Sequence, residues 1–178
     1  MMKLGKYKSI DSQNMRDVFT KYISALEIPI IDYVAIGVQD SIHGTSTSLM
    51  SRIDWQEAFV ALNLAEHDPI RKAAFNAKAK NFSFDQIDYC DSMGKEVMRQ
   101  RRLHYIENGV VLMRKNLGCN FMLTLATGFK NFNTQKFYCD HQFAIKKMFD
   151  DLVNLVSPDT QEFQPYIINP SHRDVYAK

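Results

Sequence analysis

Between Ser51 and Asp85 the chain places residues of unlike chemistry at regular intervals. Trp55 and Phe59 are one helical turn apart, and Asp68-Pro69 begins nine residues after Phe59. An indole N–H donates a hydrogen bond and an ionised carboxylate accepts one, so these residue types are equipped to hold a small polar molecule. Each also has an ordinary structural account. Two aromatics at helical spacing pack a core, and an aspartate before a proline caps a helix, contributing about 1 kcal/mol. The two roles can coexist.

Other reactive types are less well arranged. Cys139-Asp140-His141 has metal-binding chemistry, but adjacent helical residues point to different sides, unlike the four-residue spacing that shared ligation needs, so no metal site is expected. His43, His67 and His104 are far apart in the sequence, and no cysteine or serine lies in a recognisable nucleophile motif. Arg99, Arg101 and Arg102 cluster on one predicted helix and are read as its solvated face.

The elements that must carry these residues follow from periodicity. Met15, Val18, Tyr22 and Leu26 mark a first helix closed by Pro29. Tyr33 to Val38 and Gly44 to Met50 read as strands of a hairpin turning through 41–44. Trp55, Phe59 and Leu62 define a helix, which Asp68-Pro69 restarts. After an irregular stretch over 82–89, Met93, Val97 and Met98 mark a helix expected to stop at Asn108-Gly109. Val110 to Met113 and Cys119 to Ala126 form a second hairpin around 115–118. From Thr134 a long helix carries Phe137, His141, Ile145, Met148, Leu152 and Leu155 on one stripe, widened by Phe149, Val153 and Val156. This order predicts an α/β fold: an α-β-α sandwich with a central antiparallel sheet and helices on both faces. Residues 1–158 make one domain, and 159–178 read as a linker or tail.

Composition narrows the function. With 46% hydrophobic residues in 178, the chain can build one substantial core, and its net charge of +2 is interspersed, which disfavours direct nucleic-acid reading. Three irregularly spaced cysteines argue against a disulfide framework, and Met1 to Ser9 does not resemble a signal peptide. A cytoplasmic protein without a membrane span is expected.

The Trp55, Phe59, Asp68-Pro69 pattern resembles the acyl-homoserine-lactone receptors of the LuxR type, which have a tyrosine where this chain has Phe59. Asn108-Gly109-Val110, Gly118 and the strand Met122 to Ala126 resemble a second block of the same family. The resemblance implies a non-enzymatic, ligand-sensing domain that dimerises and reaches DNA only through a helix-turn-helix domain not in this chain. It implies that Trp55 donates to a lactone carbonyl, Asp68 accepts from the ligand amide, and Thr124 bonds the amide carbonyl or a tail substituent. No cofactor beyond this acylated signal is implied. Ser51 replaces the family's usual tyrosine, Phe59 lacks a hydroxyl, and Phe84 stands where a tryptophan is common. These three complete the expected ligand-binding set, and they imply fewer donors, hence a long-chain lactone held by its tail or a ligand of another class. A sensor-only protein acting by mixed dimerisation, and a lactone or amide hydrolase, are the alternatives.

Overall fold

The computed structural model describes residues 12–42, 46–76, 80–116 and 118–157. The linker expected over 159–178 lies outside them, as do the N-terminal segment and much of the first hairpin turn. Five strands form one antiparallel sheet in the order β2-β1-β5-β4-β3: β1 is Tyr33–Asp40, β2 Ser46–Met50, β3 Asn81–Ser83, β4 Asn108–Asn116 and β5 Cys119–Thr127. Among the described residues the helices are α1 Ser12–Ser24, α2 Ile53–Ala61, α3 Pro69–Asn76, α4 Ser92–Leu103 and α5 Thr134–Val156.

Alternation along the strands builds two cores, one on each face. Val34, Ile36, Leu123 and Leu125 pack against Phe19 of α1 and against Phe137, Ile145, Met148 and Leu152 of α5. Tyr33, Ala35, Val111 and Met122 face Trp55 and Phe59 of α2, Ile70 and Ala74 of α3, and Val97 and Met98 of α4. The predicted α-β-α sandwich is the observed one.

Several local expectations change. On α1 the fully buried residue is Phe19, while Val18 is exposed; Leu62 caps α2 in solvent, and Met93 is also exposed. The stretch expected to be irregular contains β3, whose short pairing with Val110, Val111 and Leu112 leaves little periodicity to read. Helix α4 ends at His104, before the expected Asn108-Gly109 stop, and the left-handed residue after it is Tyr105, with φ of 55°. Gly109 instead lies inside β4 opposite Ala126. A Cβ there would collide with the Leu125 carbonyl oxygen and lie 2.8 Å from the Ala126 Cβ.

Gly109→Ala is therefore expected to lower unfolding free energy by about 1–3 kcal/mol through overpacking of the sheet. A urea midpoint equal to the parent's would show that β4 has room to spare.

Candidate ligand-binding site

Strand register aligns Met50, Ala35, Thr124, Val111 and Phe82 in a row across the sheet. Thr124 is thus central and buried. Beside this row is a cavity of about 30 Å³, bordered by Thr124, Tyr33, Ala35, Met50 and Met122 from the sheet and by Phe59, Asp68, Arg71, Phe75 and Arg101 from the helices. That volume admits about one water molecule.

Asp68 stands at the N-terminus of α3, where its Oδ1 accepts the Ile70 N–H at 3.1 Å. The capping role expected for it is therefore present. Its other oxygen, Oδ2, accepts from Arg101 Nη2 at 2.6 Å, and the two side chains are only 1% and 4% exposed. The Arg101 guanidinium also stacks over Trp55, 5.2 Å from the ring centroid. Trp55 is fully enclosed, with Phe59 edge-on at 5.3 Å and the His104 ring at 5.3 Å on another side. His104 Nδ1 in turn lies 2.9 Å from Asp54 Oδ2, which ties the end of α4 to the start of α2 and holds the Asp54 carboxyl below its ordinary pKa.

The cluster is incompletely satisfied. Trp55 Nε1 and Arg101 Nε and Nη1 are buried without hydrogen-bond partners. A buried donor without an acceptor costs about 1–3 kcal/mol, more when it is charged. The Tyr33 phenol sits against Trp55 and Arg101, with its oxygen toward their N–H groups and the Asp68 charge nearby. Burial pushes its pKa up to about 12; Arg101 opposes the shift and the Asp68 charge adds to it. Arg71 reaches Ala65 O at 3.1 Å and Ser46 Oγ at 2.7 Å, and burial lowers its pKa.

Of the residues singled out from sequence, Phe59, Asp68 and Thr124 border the cavity, and Trp55 lies behind Arg101. Ser51 is at the end of β2, where its hydroxyl accepts the Val34 N–H at 2.9 Å, and Phe84 is buried in the same core; neither borders the cavity. Arg101 corrects the reading of the arginine cluster as a solvated face. It follows Val97 by four positions and Met98 by three, so it shares their buried face, a signal legible in the spacing. Tyr33 and Arg71 were also missed. A larger groove of about 980 Å³ lies between the end of α3, β4 and α5, with Lys80, Arg114, Lys115 and Lys146 on its walls; Phe75 borders both spaces.

The family profile described as the autoinducer binding domain matches residues 12–142. The chain belongs to the autoinducer-binding domains of LuxR-type regulators. Its fold is similar to that of SdiA in complex with octanoyl-rac-glycerol, with TM-score 0.56 and 14% identity over 94% of this chain and 75% of that one. It is also similar to Escherichia coli SdiA, with TM-score 0.56 and 12% identity over 93% and 69%. The N-acylhomoserine lactone dependent LuxR-family transcription factor CepR2 of Burkholderia cenocepacia gives TM-score 0.55 and 10% identity over 80% and 93%. No curated protein sequence gives a significant match. Family and fold are those of ligand-binding regulators, and this autoinducer-binding domain is a ligand sensor. Among its described residues no helix is long and apolar enough to cross a membrane, and no cluster of metal-ligating side chains is present.

Two measurements probe the cluster in this autoinducer-binding domain. Arg101→Met strands the Asp68 charge and should cost about 3–5 kcal/mol, while adding Asp68→Asn should recover most of it; equal urea stability of single and double variants would refute the coupling. The raised Tyr33 pKa makes the protonated phenol a source of stability that is complete below pH 10.0 and lost as pH rises through about 12. That alkaline loss, on the order of 2–3 kcal/mol, should be absent in Tyr33→Phe, as read by denaturation at stepped pH.

Proposed function

We propose that this domain senses a small acylated signal, an acyl-homoserine lactone or a relative of it, bound between the sheet and α2, α3 and α4. The observation that carries the reading is the buried cluster of Trp55, Asp68 and Arg101, in which Trp55 and Arg101 have donors without partners, beside a cavity whose other walls include Phe59, Met50 and Met122. Polar groups left without partners inside an apolar core are suited to anchoring a ligand head, and apolar walls to receiving its tail. In this proposal Trp55, Asp68 and Thr124 engage the head and Phe59 the chain. Ser51 and Phe84 contribute from outside the cavity, by fixing β1 and by packing.

Small-molecule pockets are on the order of 300–1,000 Å³, so a space of about 30 Å³ has to open for an acyl chain. Met50 and Met122 provide unbranched side chains that can repack, and Phe75 stands between this space and the larger groove. Binding is then coupled to rearrangement of the core. The proposal includes a bacterial cytoplasmic location, a homodimer, and DNA contact only through a helix-turn-helix domain outside this chain. SdiA with octanoyl-rac-glycerol and the lactone-dependent CepR2 are consistent with acylated ligands.

The test is thermal denaturation with a panel of N-acyl-homoserine lactones and octanoyl-glycerol. At a hundred times its dissociation constant a true ligand should add about 2.7 kcal/mol, and Phe59→Ala should weaken the effect. If no acyl compound in the panel shifts the transition, the reading fails.

A further inference from the structure

We infer that the ligand of this domain bears a carboxylate, and that Arg101 is the residue that selects it. The inference rests on the acyl-ligand reading above and specifies the chemistry of the head. Asp68 already accepts from the Ile70 N–H at one oxygen and from Arg101 at the other, so a ligand amide finds only its remaining lone pairs. The vacant capacity is of the opposite kind: Arg101 Nε, Arg101 Nη1 and Trp55 Nε1 are all donors, all buried, and all without acceptors. Donors grouped in this way call for an acceptor-only head.

Charge narrows the choice among acceptors. The side chains bordering the cavity include two guanidinium groups, Arg71 and Arg101, and one carboxylate, Asp68, with Tyr33 neutral at physiological pH. Glu66, the other carboxylate whose field Arg71 feels, is exposed rather than part of the lining. The wall therefore carries one positive charge more than it neutralises. A lactone or ester carbonyl would satisfy donors but leave that charge unopposed; a carboxylate does both, since Arg hydrogen bonds to an anion are shorter and stronger than those to a neutral oxygen. The Trp55 ring under the guanidinium keeps it in place for this contact.

A carboxylate of this kind has two sources, a free fatty acid or the ring-opened form of an acyl-homoserine lactone. Calorimetric titration of the purified chain with decanoate, methyl decanoate, N-decanoyl-homoserine and N-decanoyl-homoserine lactone separates them. Each carboxylate is expected to bind at least about tenfold tighter than its neutral counterpart, as a charge-assisted contact in a buried site implies, and the tighter of the two identifies the source. The preference should vanish in Arg101→Gln, which leaves Arg71 and Asp68 to cancel; Arg101→Lys, which keeps a cation beside Asp68 but lacks the Nε and Nη1 donors, should lose most of it and provides the reading if the glutamine variant does not fold. Equal or tighter binding of the neutral compounds overturns the inference while leaving the acyl-ligand reading intact. A preference that survives in the variants also overturns it. Binding of none of the four overturns the inference, and the acyl-ligand reading falls with it only if no compound of the thermal panel binds either.

Discussion

Taking a carboxylate out of water is costly unless a counter-charge goes with it, and in this domain Asp68 and Arg101 enter the core together. That requirement links α3, which Asp68 caps, to α4, which carries Arg101 one turn beyond Val97. It also draws in α2, because the guanidinium lies on the Trp55 ring. The three helices on one face of the sheet are thus registered by a single polar contact as well as by apolar packing. On the opposite face α5 packs through Phe137, Ile145, Met148 and Leu152 and makes no comparable demand.

This division gives the two cores different characters. The α5 side is assembled from apolar side chains, and its polar contacts, Tyr22 with Asp151 and Arg114 with Asp150, lie at partly exposed positions. The side facing α2, α3 and α4 contains unpaired donors, two arginines and methionines around a small space, features that lower packing stability. Thr124 and Leu123 are neighbours on β5 yet belong to opposite faces, so one strand separates the cavity side from the α5 side.

The regular parts of this organisation were legible in the sequence because they repeat. The long stripe from Phe137 to Val156 and the hairpin around Gly118, whose φ is 80°, required only local rules. The candidate site was legible where spacing matched a family, at Trp55, Phe59, Asp68 and Thr124. The remainder depended on tertiary context. β3 is three residues long, too short for a period, and exists because β4 is there to pair with it. Arg101 was read by its charge and its neighbours Arg99 and Arg102, whereas its burial is decided by Asp68, thirty-three positions earlier. A charged residue on a buried face looks like an error until its partner is known. Tyr33 and Arg71 were hidden for the same reason, since a first strand residue and a helical arginine have unremarkable surface roles elsewhere.

The reciprocal dependence of Asp68 and Arg101 also constrains how this domain can diverge. Loss of either alone leaves a buried charge, so a lineage departing from this pair has to pass through a disfavoured intermediate or change both positions together. Met50 and Met122 have no such tie, and volume-conserving changes there are tolerated. The walls of this small space can therefore change shape by single substitutions, while the charge pair beside it stays fixed over much longer spans of evolution.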